Sequence, residues 1–112
     1  MKRVSALAVV AAALSLSACA TPSRFDFGSY DSSLFLYSKR PEQIAAFEHS
    51  LEQAIARGRA TGRLAPGLQA ELGYCYLKDG RKDAAVAQFK GEMADFPESR
   101  PFLSKIIAQT ES

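Results

Sequence analysis

The sequence has no tryptophan, a single histidine and two cysteines. One histidine, with no Ser-His-acid order around it, gives no basis for a nucleophile–base triad. It also leaves a Cys/His zinc set short of ligands. Two cysteines do not make a disulfide framework. Neither charge dominates: Lys and Arg total 14, Asp and Glu total 12, and the formal net charge is +2. No basic footprint for nucleic acid follows from that balance. The longest apolar run, Val4 to Ala18, falls short of the roughly 20 residues a spanning helix needs. No stretch alternates with period two for long enough to make a sheet. What remains is an all-α chain of 112 residues, 47% hydrophobic. That is room for one small folded domain.

The N-terminus reads as a targeting segment. Met1-Lys2-Arg3 is positive, Val4 to Ala18 is apolar and Ala-rich, and Cys19 follows Leu16-Ser17-Ala18. A charged start, an apolar centre and small residues before the cut make a secretory signal. Leu16-Ser17-Ala18-Cys19 resembles the bacterial lipobox. That resemblance implies cleavage before Cys19 and acylation of Cys19, with residues 1–18 removed. The alternative is ordinary secretion with Cys19 as a bystander thiol. The mature chain loses Lys2 and Arg3, and with them the whole formal net charge of +2. Several acyl chains anchor a protein stably where one does not, so the membrane is the first expected partner. Ala20, in place of Asp, implies by the sorting rule of Gram-negative lipoproteins the outer membrane, facing the periplasm. Cys75 is then the only free thiol, and a buried structural role is expected.

Residues 19–40 read as a lipidated tether with an aromatic-rich segment. It carries Phe25, Phe27, Tyr30, Phe35 and Tyr37. These aromatics either cover one end of the domain or form a docking strip for a partner or a headgroup layer. Asp31 is placed to cap a short helix to about Ser38. Residues 41–109 read as a helical domain of about four main helices. Pro41 and Glu42 open a helix whose apolar residues Ile44, Phe47, Leu51, Ala54 and Ile55 recur at spacings of three and four. It is expected to end near Arg57-Gly58, with His49 and Glu52 on its polar side and the Glu48–Glu52 pair solvated. Arg57, Arg59 and Arg63 form a basic cluster suited to the helix C-terminus or, alternatively, to an anion. Leu68, Leu72, Cys75 and Tyr76 make the face of the next helix, which Gly80 closes. Ala85, Val86, Phe89, Met93 and Phe96 follow, before Pro97. Phe102, Leu103, Ile106 and Ile107 make the last apolar face.

The hairpin from Pro66 to Ser99 resembles a tetratricopeptide repeat. Leu72-Gly73, Tyr76, Ala85, Phe89 and Pro97 stand at the repeat's spacing. Gly73 and Ala85 are small where two helices cross, and Leu72, Tyr76 and Phe89 fill the volume beside them. Gln69 replaces the usual large aromatic and Glu92 the usual small residue, and both are expected to weaken packing toward neighbours. The flanking helices then cap an antiparallel, tetratricopeptide-like hairpin stack. A longer string adds to this. Tyr30-Asp31-x2-Leu34, Lys39-x-Pro41-Glu42, Pro66-Gly67-Leu68 and Phe96-Pro97-Glu98-Ser99-x-Pro101-Phe102 resemble short bacterial lipoproteins grouped as domain of unknown function 4810. That resemblance implies no activity. It does imply a setting beside a curli-secretion-like outer-membrane lipoprotein and another small lipoprotein.

The expected role is a lipid-anchored protein-interaction module of an envelope assembly, with no cofactor, catalytic residue or metal site. Tetratricopeptide-like folds present grooved helical surfaces. Here Ala70, Tyr74, Leu77 and Lys78 would line the groove, Tyr74 packing a partner side chain and Lys78 meeting a carboxylate. Tyr74 could equally pack on the 41–57 helix. The alternative role is regulatory, in contact with a cell-wall synthase or peptidoglycan. Catalysis is disfavoured, because Glu48 and Glu52 have no evident means of raising a pKa.

Overall fold

The computed structural model describes residues 24–112. The signal region 1–18 and Cys19 lie outside the described residues. Five α-helices pack antiparallel in chain order: α1 (Tyr30–Lys39), α2 (Ile44–Thr61), α3 (Leu68–Lys78), α4 (Lys82–Asp95) and α5 (Arg100–Glu111). Among the described residues there is no strand, only an isolated parallel bridge between Asp26 and Leu64. Each helix packs chiefly on its chain neighbours, so α1 and α5 are the two ends of the stack.

The core follows the spacing read in the sequence. Phe47, Leu51, Ala54 and Ile55 of α2 meet Leu68, Leu72, Cys75 and Tyr76 of α3, with Ala85, Val86 and Phe89 of α4 beyond. Leu103 and Ile107 attach α5. The α3–α4 crossing is the tightest contact. A Cβ built on Gly73 would stand 2.5 Å from Cε1 of Phe89, inside any real carbon–carbon contact. Ala85 and Phe89 have no exposed surface.

Several boundaries differ from expectation. Helix α2 continues past Gly58 to Thr61, and Gly62, at φ +69°, is the left-handed cap. A glycine stands inside the helix at 58 because the 62–65 loop folds back on it and leaves no room for a side chain. A Cβ there would lie 2.7 Å from Cα of Leu64. Pro41 opens a 3-10 turn, Pro41–Gln43, and α2 begins only at Ile44. Asp31 stands inside the first turn of α1 and makes no side-chain cap. The Ser29 carbonyl instead accepts the hydroxyls of Ser32 and Ser33, at 3.0 and 2.8 Å. Phe102, expected in the core of the last helix, is exposed. Leu103, Ile106 and Ile107 carry the contact with α4, and their neighbour faces outward.

Candidate functional site

The proposed groove residues fall on one side of α3. Tyr74 and Leu77 are half-buried and Lys78 is exposed. The Tyr74 ring packs against the core cluster and meets Phe89 of α4 edge-on, at 5.5 Å between centroids and 70° between planes. Lys78 is already occupied: Nζ donates to the Tyr37 hydroxyl at 3.2 Å and sits 5.4 Å from the centre of that ring. The C-terminal end of the helix expected to line a groove is therefore tied to α1 through this one side chain. Tyr37 stacks in turn on Phe47, with centroids 4.9 Å apart and planes 10° apart.

Two buried polar groups were not foreseen. The first joins the two departures of the hairpin. Gln69 and Glu92 are both almost wholly buried. Gln69 Nε2 donates to Glu92 Oε2 at 3.4 Å and to Asp95 Oδ2 at 2.9 Å. Arg59 donates to Gln69 Oε1 at 2.8 Å and pairs with Asp95 at 3.1 Å. The Gly67 N–H donates to Glu92. Gly91 makes room, because a Cβ there would lie 2.4 Å from Gln69 Oε1. Burial raises the Glu92 pKa, and the Gly67 N–H and Gln69 act against that rise. Gln69 and Glu92 thus satisfy one another, and with Arg59 they tie α2, α3 and α4 together. The only clue in the sequence was that both stood out from the pattern.

The second group surrounds Glu48. This residue was expected to be solvated, but it is 5% exposed and its Oε1 has no hydrogen-bond partner. Burial raises its pKa first, and the neighbouring Asp79 carboxyl raises it further. Arg81 stands 3.8 Å away and lies over the Tyr76 ring, 4.2 Å from its centroid. The Tyr76 hydroxyl donates to Glu52 at 2.6 Å, and burial with that bond pushes the phenol up to about 12. Cys75 is 2% exposed, and burial among carboxylates pushes its thiol up to about 11. A thiol so held is a packing residue rather than a nucleophile.

The expected basic cluster is divided between partners. Arg57 forms a two-pronged pair with Asp26, at 2.8 and 3.0 Å, and Arg59 serves Gln69 and Asp95. The Arg57 bond, with the Gly28 N–H, holds the Asp26 carboxyl down at about 2. The Asp26 N–H also donates to the Arg63 carbonyl at 2.7 Å. Residues 25–29 are therefore fastened to the end of α2 rather than running free.

Among the described residues, most of the exposed large apolar side chains lie on or just before α1. Phe35 and Leu36 are each 61% exposed, and Phe27 and Leu34 are exposed too. Phe102 on α5 is the matching exposed ring at the other end of the stack. Among the described residues no three His, Cys, Asp or Glu side chains are grouped to hold a metal ion. No described helix is long and apolar enough to cross a membrane.

The chain belongs to the family described as a domain of unknown function (DUF4810), whose model matches residues 25–106. No curated protein and no solved structure matches the chain.

Proposed function

We propose that this DUF4810 protein is a lipid-anchored, extracytoplasmic protein-interaction module, a subunit or accessory factor of an envelope assembly. Cys19 carries the lipid, and the outer membrane facing the periplasm is its site. The α3–α4 hairpin is read as a single tetratricopeptide-like repeat, capped by α2 and α5. Its small-against-large crossing at Gly73 and Phe89 supports that reading. The partner is a protein, with a curli-secretion-like lipoprotein and another small lipoprotein as the first candidates.

The observation that carries the reading is Tyr74. Its ring is held by Phe89 and half-buried, while no hydrogen bond to its hydroxyl is found among the described residues. A fixed ring with a free polar tip is the type of side chain that anchors interfaces. Leu77 extends the same face. Lys78 acts through its bond to Tyr37 and orders the edge of the groove, a different role from direct pairing with a partner carboxylate.

The test is crosslinking of the tagged, lipidated protein in its own membranes, followed by co-purification in mild detergent. A stoichiometric protein partner is expected, and Tyr74→Ala should lose it while folding normally. Recovery of the protein alone or with wall fragments would end the adaptor reading. Turnover of a substrate by the purified protein would do the same.

A further inference from the structure

We infer that the outward side of α1 seats on the phospholipid headgroup layer, so that the domain lies against the bilayer by its α1 end. This rests on the anchoring of Cys19 proposed above and adds a second contact to it.

The pattern of α1 is the starting point. At about 100° per residue, Tyr30, Ser33 and Tyr37 fall on one arc. Those three are the half-buried residues of the helix, turned to α2, and no residue of α1 is fully buried. Leu34 and Leu36 fall on the two flanks, and Phe35 falls opposite the packed arc. The outward arc is mixed, with Leu34, Phe35 and Leu36 interleaved with Asp31, Ser32, Ser38 and Lys39, and an apolar-and-cationic face of that kind suits a water–lipid boundary. Here one side is covered by α2, and the rest faces outward.

Chain length identifies what covers it. Asp26 is fixed to the body of the fold by Arg57 and by the Arg63 carbonyl. Seven steps along the chain lead from Asp26 to Cys19, a reach of at most about 25 Å fully extended. The headgroup layer is itself about 5–8 Å deep. An acylated Cys19 therefore keeps the Asp26 corner of the fold, from which α1 starts at Tyr30, within that reach of the membrane surface.

Charge agrees with that placement. Lys39 Nζ sits 5.6 Å from the centre of the Phe35 ring, the arrangement of a cation lying along an apolar surface with its head free. Arg40 follows it, and Arg24 stands over Phe25 where the chain enters. Asp31 is the acidic residue on α1, and Glu42 lies beyond in the 3-10 turn. Aromatic and aliphatic side chains edged by Lys and Arg suit an interface with anionic lipid.

The absence of tryptophan makes the test clean. The lipidated full chain carrying Phe35→Trp is reconstituted into phosphatidylethanolamine–phosphatidylglycerol vesicles with bromine atoms near the head of the acyl chains. Phe102→Trp is the control, and Leu36→Trp is a second reporter should Phe35→Trp disturb the fold. The expected result is a blue-shifted Trp at 35, quenched by bromine several-fold more than Trp at 102. Equal quenching of both by aqueous acrylamide, with no bromine effect, would overturn the inference. So would a Trp at 35 shielded from acrylamide yet blind to bromine, which would mean that a second copy covers the face. Protein that fails to float with the vesicles would overturn the anchor itself, and is read separately from quenching.

Discussion

Phe89 in α4 has no exposed surface and presses on a glycine, whereas Phe35 in α1 is 61% exposed. The same residue type does opposite work at the middle and at the end of one small stack. In the hairpin, apolar volume is matched to a gap across the helix crossing, and the fold depends on the fit. On α1, two tyrosines hold the helix to α2 through Phe47, and Phe35 and Leu36 leave most of their surface exposed. Stability is therefore concentrated in α2–α4, and the end helix carries surface.

The sharpest way to break this contrast is Phe89→Ala. A buried ring removed from the crossing costs about 3–5 kcal/mol. Equilibrium urea unfolding should show most of the domain's stability gone, and retention of the wild-type midpoint would end the packing account. Next is Gln69→Leu. It removes the donor from Glu92 and the acceptor from Arg59, and leaving a buried carboxylate short of partners costs about 1–3 kcal/mol. Smaller again is Gly73→Ala. Overpacking against Phe89 costs about 1–3 kcal/mol, partly offset by about 1 kcal/mol of helix propensity. Combined with Phe89→Leu, Gly73→Ala should cost less than the sum of the two single changes, because the ring it strikes is gone. Additive losses in that cycle would count against the contact.

A change with pH separates the two buried groups from the surface ion pair. Glu48 and Glu92 have pKa values raised above the ordinary 4.5, chiefly by burial. The folded state then holds their protons more tightly than the unfolded state does. Their contribution is fully present below 4.5 and is lost as pH rises through the folded values. Asp26, lowered from 3.8 to about 2 by Arg57, works the other way. Its contribution is present above 3.8 and is lost as pH falls through about 2. Tm should rise on acidification from neutral toward about 4.5 and fall below 3.8. Glu48→Gln should raise Tm at neutral pH and flatten the upper limb. An unchanged limb in that variant would show that Glu48 titrates normally.

The legible part of the fold was the part built on periodic apolar residues. Leu72, Tyr76, Ala85 and Phe89 stood at helical spacing and are in the core. Buried polar residues were not legible, because Gln69, Glu92 and Glu48 read as surface or as departures until their partners are known. Gly58 misled for a related reason. Glycine marks either a terminus or a close approach, and only Leu64 packed against it tells which. Helix α3, on which the proposed groove rests, was legible, whereas the bond from Lys78 to Tyr37 across 41 residues of sequence was not.

The smallest expected effect is also the most informative about α1. Phe35→Ser changes a residue whose ring touches Lys39 and otherwise faces outward. Surface substitutions of that kind stay within about 0.5 kcal/mol, so urea midpoints of Phe35→Ser and wild type should coincide. A loss as large as that of Gly73→Ala would mean that the ring supports the stack, and the contrast between α1 and the hairpin would fail. A coincident midpoint leaves an exposed phenylalanine that folding does not require. Its place beside Lys39, nine residues beyond the fixed Asp26 and two beyond the half-buried Ser33, then needs a reason outside the chain's own stability.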